Sequence, residues 1–420
     1  MKRIITLLLV GLFSMGCLAT ANAESNIDVK VKGQWDFSYG FVFNSKFDKN
    51  GGRDNVRNDD NTFAIQRIRT QVNFIISENL QAVLQFEIGD VFWGRGNGAS
   101  GLSSNGRSSG GQLGADGVNV ETKHAYLDWM VPETGLHIRM GLQNLTLPSV
   151  LGSNVFNEDV AAVVANYKFN SMFGITAFWA RPYDYYRNDG TTPATQGGHA
   201  RSIDDEVDAF GLIAPITLDG ATITPWVMYA SVGAGSGMYD DNGGASKAFG
   251  GTLGFDSQGN NTSSAPAWWI GTVAEVNMFD PLTFGVEFIY GYLGRNDVFG
   301  ANTAAAGAAP VYPKAEVSTH GWYLAATLDY KLDWGTPGIF GWYASGDDAD
   351  DWGGSKHRLG RLPTVRPDQN YTSFGFDGGI GIAPDEYLMG WNNAGTWGLG
   401  IQIEDMSFIK DLSHTIRFVY

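Results

Sequence analysis

The charged side chains of this chain that could act on a solute are spaced at every second position. Arg67 and Arg69 share one parity with neighbouring amides, Glu87 follows a short turn in the same pattern, and His137 and Arg139 repeat it further on. This spacing places the charges on one face of an extended chain, where they can attract, orient or repel polar solutes and ions. It does not assemble the compact group that bond-making chemistry requires.

Catalytic and metal-binding motifs are not found in the sequence. There is no serine nucleophile elbow, no helical pattern follows the glycine-rich run 233–237, and none of the six histidines is spaced as a metal-binding pair on a helix. We therefore expect no enzyme activity, no cofactor and no metal centre. Acidic clusters at 204–206, 240–241 and 347–351 are either solvated loop charge, which is favoured, or calcium sites. A formal net charge of −16 makes the chain a poor partner for nucleic acid.

The element that must position these charges is a β-strand. From residue 64 to 76, and again from 82 to 88, apolar residues alternate with arginine, glutamate and amides around a turn at 77–80. Period-two alternation predicts strands, and two such runs around a tight turn predict an antiparallel hairpin. Each arm is about 10 residues long, which is the length that a tilted strand needs to cross a bilayer.

The same hairpin recurs along the chain. A first strand is predicted at 28–43, further hairpins at 120–142, 160–181, 207–231, 268–292 and 322–345, and a last pair at 396–404 and 413–420. Short turns and long loops alternate between them. This order predicts an all-β fold, a transmembrane antiparallel up-and-down β-barrel of about 16 strands, with 18 as the alternative. Counting directly gives about fifteen strands.

The orientation of the two faces needs further observations, because a soluble barrel with an apolar interior has the same period. The chain is 43% hydrophobic and 13% aromatic, yet no apolar run after the N-terminus is long enough for a transmembrane helix. A barrel of this size also leaves an aqueous channel that side chains cannot fill. The apolar faces end in aromatic residues, as interfacial belts require: Trp35, Tyr39, Phe41, Trp129, Trp268, Tyr290, Tyr292, Trp322, Tyr330 and Trp397. We predict apolar faces toward lipid, with a subunit contact as the alternative for Trp35, and charged faces toward water.

The N-terminal residues 1–23 are predicted to be a secretory signal peptide. Lys2 and Arg3 precede an apolar stretch at 4–13 and a small-residue cleavage site at 21–23, so the barrel is expected to occupy residues 24–420. Cys17, the one cysteine, is lost with the signal. Single-chain bacterial barrels have even strand numbers. An odd count therefore leaves a missed strand in 371–382 or a missing C-terminal segment as alternatives.

Several stretches resemble the homotrimeric outer-membrane porins of sulfate-reducing bacteria. They are KHAYLDWMVP at 123–132, IRMGL at 138–142, SFGFDG at 373–378 and DLSHTIR at 411–417, together with the signal peptide. The resemblance extends over nearly the whole chain, rests on structural motifs, and favours a missing C-terminal segment. It implies a location in the bacterial outer membrane, in contact with lipid and lipopolysaccharide. It also implies a homotrimer of water-filled barrels through which small hydrophilic solutes and ions diffuse passively.

General trimeric porins fold their third long loop into the barrel, and here that loop is 143–159. The resemblance implies that Glu158 and Asp159 on this constriction loop face Arg67, Arg69 and Arg139 across a narrow aqueous gap. Further lining candidates are His137, Glu87, Lys30 and Lys32. Alternatively, the arginines are ordinary solvated wall charge and the two acids cap the strand that follows. Acidic loops indicate a preference for cations and an arginine wall a preference for anions, so the sign of selectivity stays open.

A solute-specific channel, for sugars for example, is the alternative function. In such a channel aromatic side chains of the bore, such as Tyr126 or Trp269, would form a sliding track for the solute.

Overall fold

The structure of the protein, a computed structural model, describes residues 27–42, 61–94, 120–184, 206–233, 264–299, 314–348, 356–369, 371 and 394–420. The predicted signal peptide and the candidate extra strand beyond Tyr371 lie outside the described residues. All regular elements of the described part are β-strands. Within this part, no helix is long and apolar enough to span a membrane.

Nineteen strands follow one another along the described chain, and four of them are short. In order they are β1 (Asp28–Val42), β2 (Asn61–Ser77), β3 (Leu80–Phe92), β4 (Val120–Met130), β5 (Leu136–Thr146), β6 (Gly152–Ser153), β7 (Asn157–Lys168), β8 (Gly174–Asp184), β9 (Glu206–Ile213), β10 (Ile216–Leu218), β11 (Ala221–Val232), β12 (Ala265–Phe279), β13 (Leu282–Phe299), β14 (Lys314–Tyr330), β15 (Thr336–Ala344), β16 (Lys356–Leu359), β17 (Asp368–Gln369), β18 (Trp397–Ile409) and β19 (Leu412–Val419).

Fifteen of these strands form the wall of an up-and-down barrel. Each pairs antiparallel with the next wall strand along the chain, in the order β1, β2, β3, β4, β5, β7, β8, β9, β11, β12, β13, β14, β15, β18, β19. Within the described residues β1 and β19 are the two edges of this sheet. The predicted fold class is therefore confirmed, and the observed strands run a few residues longer than most of the predicted ones.

The outer face of the wall is apolar and exposed, because side chains of alternate residues leave opposite faces of a strand. The strand register aligns aromatic residues side by side on this face. One unbroken row crosses five neighbouring strands, with consecutive residues directly paired: Trp179, Phe210, Tyr229, Trp268 and Tyr292. Four of these side chains are clearly exposed. The sequence patterns of separate hairpins thus combine into a belt that no single hairpin shows.

The inner face differs between the two halves of the wall. On β9 and β11 to β15 it carries buried apolar and small residues, among them Trp226, Met228, Ala230, Ala267, Trp269, Ile289, Tyr323 and Ala325. Aromatic rings here lie over glycines of the adjacent strand: a Cβ built on Gly271 would stand 2.3 to 2.6 Å from three ring atoms of Trp226. The missing side chain leaves the space that the ring fills.

Two segments between wall strands fold onto this apolar inner face. The first inserted segment is residues 147–156, between β5 and β7. The second inserted segment is residues 360–369 with Tyr371; it follows β16, which pairs parallel with residues 316–319 of β14 and so extends the wall sheet. Val150 of the first segment hydrogen-bonds to β13, which is several strands away from β5 and β7 around the wall. A contact of this kind requires the sheet to curl, with the segments on its concave side.

We expect Gly271→Val to destabilise the barrel by about 2 kcal/mol, because the added methyl groups collide with Trp226 in a packed interior. The measurement is urea unfolding of the protein refolded into lipid vesicles. Ile270→Val, on the outer face one residue earlier, is the matched control and should change the unfolding free energy much less. Equal effects of the two substitutions would contradict the packing described for the inner face.

Candidate functional site

A row of charged side chains connects β1, β2 and β3. Arg67 and Arg69 on β2 both approach Glu87 on β3, with Nε to Oε2 distances of 3.9 and 2.6 Å. Nε of Arg67 also lies 3.6 Å from Oδ2 of Asp36 on β1. The Arg67 side chain is almost fully buried, and a buried guanidinium requires nearby carboxylates to offset its lost hydration. The described contacts of the two arginines are therefore with acids of the same wall.

Lys123 and His124 extend this row from β4 to the start of β7. Nζ of Lys123 lies 3.6 Å from Oε2 of Glu87 and donates a hydrogen bond to Asp159. Nε2 of His124 lies 2.7 Å from Oδ1 of the same aspartate. Acidic and basic groups thus alternate from β1 through β4 to β7. They form a continuous polar lining, which we call the charged wall: Asp36, Arg67, Arg69, Glu87, Lys123, His124 and Asp159.

The other predicted lining residues lie near this wall. His137 contacts Asp128 on the neighbouring strand. The guanidinium of Arg139 lies over the ring of Tyr126, 5.9 Å from its centroid, in a cation–π contact. Lys30 and Lys32 are exposed on β1, opposite amide side chains of β2 in the register. The bore side of β1 to β5 therefore carries mostly polar side chains, with the buried apolar residues Ile65, Val83 and Leu145 among them.

The two inserted segments are joined to each other by backbone hydrogen bonds. β6 and β17 pair antiparallel, and the carbonyl oxygen of Val155 accepts from the N–H groups of Val365 and Arg366 at 2.9 and 3.0 Å. Beside this junction, Nε of Arg366 donates to Oε2 of Glu158 at 2.9 Å. The segments therefore form one small unit of structure inside the barrel.

This unit is fixed to the apolar half of the wall by specific contacts. The N–H of Val150 donates to Oε2 of the buried Glu287 at 3.0 Å, and Nε1 of Trp269 donates to the carbonyl oxygen of Pro363 at 2.7 Å. Directional contacts of this kind hold the unit in one position, since breaking them would leave buried polar groups unsatisfied.

Tyr371 connects both segments and the wall at one point. Its ring stacks on Trp342 with centroids 3.8 Å apart, and its hydroxyl lies 3.0 Å from that of Tyr323. The side-chain amide of Asn154 in the first segment donates to the same hydroxyl. Burial raises the pKa of Tyr371 above its usual value, so the phenol stays neutral and serves as a hydrogen-bonding group.

The filled half of the barrel changes one sequence expectation. Trp269 is fully buried beneath the second inserted segment, so its proposed role as a solute track is wrong. The sequence pattern predicted an inward side chain for this residue, but it could not reveal that another part of the chain would cover it. Among the described residues, the inserted segments pack on the apolar half of the inner face, and the charged wall lies on the other half.

The structure brings some predicted site residues together and separates others. Arg67, Arg69 and Glu87 form one cluster, and Asp159 joins it through Lys123. Glu158 lies apart from it, against Arg366. The prediction did not include Asp36, Lys123, His124 or Arg366. For Arg366 the available signal was the apolar pattern of Leu359, Leu362 and Val365 within a long loop, which is unusual for a segment surrounded by water.

The acidic and histidine side chains of the described residues are paired mostly with bases and not with one another. No group of three or more histidine, cysteine, aspartate or glutamate side chains in the described part of the chain is arranged to hold an ion. The charged wall combines acids with bases at hydrogen-bonding distance, and such pairs neutralise one another instead of offering a set of oxygen ligands.

Comparisons with known proteins give likenesses of fold. No protein-family model matches the chain, and no curated protein matches it. Among solved structures, it is similar to a mutant of the porin from Rhodopseudomonas blastica, with 10% identity, 93% of this chain and 94% of that chain covered, and a TM-score of 0.42. It is also similar to OmpF of Salmonella typhi in complex with daunomycin (10% identity, 95% and 91% covered, TM-score 0.45). A third is OccK8 (OprE) of Pseudomonas aeruginosa (9% identity, 94% and 84% covered, TM-score 0.45).

We expect Glu87→Gln to destabilise the folded barrel by about 2 kcal/mol, because it removes the carboxylate shared by Arg67, Arg69 and Lys123. Unfolding in urea, followed by tryptophan fluorescence, measures the change. Glu78→Gln, which removes the same charge from the exposed turn between β2 and β3, is the control and should have little effect. A neutral result at Glu87 would show that the clustered bases do not depend on this acid.

Proposed function

We propose that the protein is an outer-membrane channel through which small hydrophilic solutes and ions diffuse passively. One observation carries the proposal: apolar side chains are exposed on the outside of a curled antiparallel sheet, while charged side chains line the part of its inside that β1 to β4 and the start of β7 form. The reverse holds for a water-soluble barrel. This distribution matches a molecule whose surroundings are lipid and whose interior is water.

The outer surface is unsuited to water. Large apolar side chains are exposed from one end of the sheet to the other, including Trp35 at 60% and Ile401 at 59% of their full accessible surface. Soluble monomers rarely expose contiguous apolar area beyond a few hundred Å². A surface of this extent is stable when it faces hydrocarbon or another subunit.

The spacing of aromatic residues along one strand gives an independent estimate of the height of the apolar band. On β12, Trp268 belongs to the aromatic row described above, at the end of the strand that leads into a long loop. Phe279, eleven residues later, is exposed at the other end, next to the short turn to β13. At about 3.3 Å per residue and a tilt near 40°, this separation corresponds to about 28 Å along the membrane normal. That agrees with the apolar band of about 25 Å that outer-membrane barrels show between their aromatic girdles. The agreement supports a membrane-spanning wall.

The interior supports diffusion rather than catalysis. One half of the inner face presents acids and bases paired at hydrogen-bonding distance, with side chains that are 4% to 22% exposed. The inserted segments narrow the opposite side. A pore with charged walls and a narrowed section favours small polar solutes over apolar ones. General diffusion is preferred over a sugar-specific channel, because Trp269, one of the two aromatics considered for a track, is buried and leaves Tyr126 alone.

The finer parts of the proposal follow from the resemblance in the sequence. They are secretion with loss of residues 1–23, a homotrimer, contact with lipopolysaccharide, and a constriction at the predicted loop 143–159, of which residues 147–156 lie between β5 and β7. The exposed apolar face around Trp35 on the edge strand β1 is a surface that a neighbouring subunit could cover.

Purified protein in a planar lipid bilayer should conduct ions with an ohmic current–voltage relation. A trimer of open pores should insert as one event and close in three equal steps. Protein that inserts into the bilayer but carries no current would contradict the channel function. If the current closes in a number of steps other than three, only the predicted trimer is contradicted.

Exchanging both arginines of the charged wall, Arg67→Glu with Arg69→Glu, should shift selectivity toward cations. The change adds four units of negative charge beside Glu87 and Asp36, and fixed charge in a narrow pore raises the local concentration of counter-ions. The reversal potential in a salt gradient measures the shift. Lys331→Glu with Lys410→Glu makes the same change of charge at exposed positions near the short turns. If both variants shift the potential equally, the arginines do not line the ion path.

A further inference from the structure

The second inserted segment carries a charged residue at the edge of the open bore. Resting on the proposed channel function, we infer that Arg366 is a selectivity-determining residue of the pore, acting with Glu158. The narrow section is therefore built from two loops that are distant in sequence. The barrel wall supplies one side of the ion path, and the joined inserted segments supply the other.

Arg366 is held in place by its backbone. Its N–H donates to the carbonyl oxygen of Val155, its own carbonyl oxygen accepts from the N–H of Asn157 at 2.8 Å, and it forms a parallel bridge with Phe156. Neighbouring residues of the same segment, Leu362 and Val365, are buried in the inner core. The guanidinium thus projects from a fixed base, so its charge has a defined position relative to the bore.

Exposure separates this pair from the charged wall. The side chains of Arg366 and Glu158 are 32% and 43% exposed, whereas those of Arg67 and Arg69 are 4% and 18% exposed. A permeating ion is influenced most by charge that is open to the aqueous path, because buried charge is already balanced by adjacent carboxylates. Arg366 and Glu158 therefore have more direct access to passing ions than the two wall arginines have.

The position of Glu158 supports the same conclusion. Its carboxylate accepts a hydrogen bond from Nε of Arg366, and neighbouring residues of that inserted segment, Leu362 and Val365, pack in the inner core. Arg366 balances this carboxylate. Without the guanidinium, Glu158 would present an uncompensated negative charge to the water in the bore.

The other arginine of the inserted segment with a described acidic contact is differently placed. Arg361 bonds to Asp347, and both side chains are less than one-fifth exposed. This pair is screened from the bore by its burial and is not expected to influence selectivity to the same degree. Arg366 is thus the residue of the segment whose charge and exposure suit contact with ions.

The test measures the reversal potential of single channels in a potassium chloride gradient. Arg366→Gln should raise the cation-to-anion permeability ratio by about threefold, and Glu158→Gln should lower it by a similar factor, since each leaves one unpaired charge beside the path. The double variant should return close to the wild-type ratio. Lys331→Gln, which removes one exposed positive charge near a short turn, is the matched control and should leave the ratio unchanged.

A chemical version of the test keeps the folded protein constant. The sequence has one cysteine, Cys17, within the predicted signal peptide, so Arg366→Cys supplies a single thiol in the mature chain. Modifying this thiol with a positively charged methanethiosulfonate reagent should lower the cation-to-anion permeability ratio toward the wild-type value, and a negatively charged reagent should raise the ratio further. The reversal potential is measured before and after modification on the same channel in the bilayer.

The outcomes distinguish the inference from the function on which it rests. If the wild type conducts, but neither Arg366→Gln nor modification of the cysteine variant changes the reversal potential, the inference is wrong and the channel function stands. If the wild type does not conduct, both are overturned. If Lys331→Gln changes the permeability ratio as much as Arg366→Gln does, the inference is also rejected, because selectivity would then follow the overall charge of the protein.

Discussion

Backbone hydrogen bonding between consecutive strands is the interaction on which the rest of this molecule depends. Each wall strand is paired with its chain neighbours, so the peptide groups between strands are satisfied within the sheet and need no water on either side; among the described residues, the outer edges of β1 and β19 are the exceptions. This frees the side chains to match two different environments. The outer face can be apolar and the inner face charged, because neither face has to solvate the backbone.

The inner face is itself divided in two. Around β1 to β4 it carries paired acids and bases, whereas from β9 to β15 it carries small and aromatic residues that other parts of the chain cover. The apolar half attracts the inserted segments for the same reason that any core forms: burial removes apolar area from water. In the part of the chain that the structure describes, the inserted segments thereby narrow the barrel on the side of β9 to β15.

Most of the wall could be predicted from the sequence, because period-two alternation and short turns are local properties. Hairpins such as the one at 64–88 show a polar and an apolar face. The hairpin at 160–181 has less distinct faces, and the structure gives the physical reason: Val160, Ala162 and Val164 face a protein core inside while the opposite residues face outward. A strand that is apolar on both sides is covered on both sides.

The charged site was only partly accessible to sequence reasoning. Arg67, Arg69 and Glu87 were found because they lie on regular strands whose faces follow from parity. Their partners were not, since pairing across strands depends on register, and a bulge between Gln85 and Phe86 alters the register at Lys123. Arg366 belongs to a long irregular loop, whose path is fixed by tertiary contacts that no local pattern contains.

The contact between the inserted segments also constrains the order of assembly. Glu158 and Arg366 are 208 residues apart, and Asn154 and Tyr371 are 217 apart. Contacts this distant in sequence carry a large loop-closure entropy unless the intervening chain is already ordered. The sheet must therefore curl before the two segments can meet. The barrel would then pass through a stage with a wide, unobstructed lumen, and its interior would be the last part of the molecule to fold.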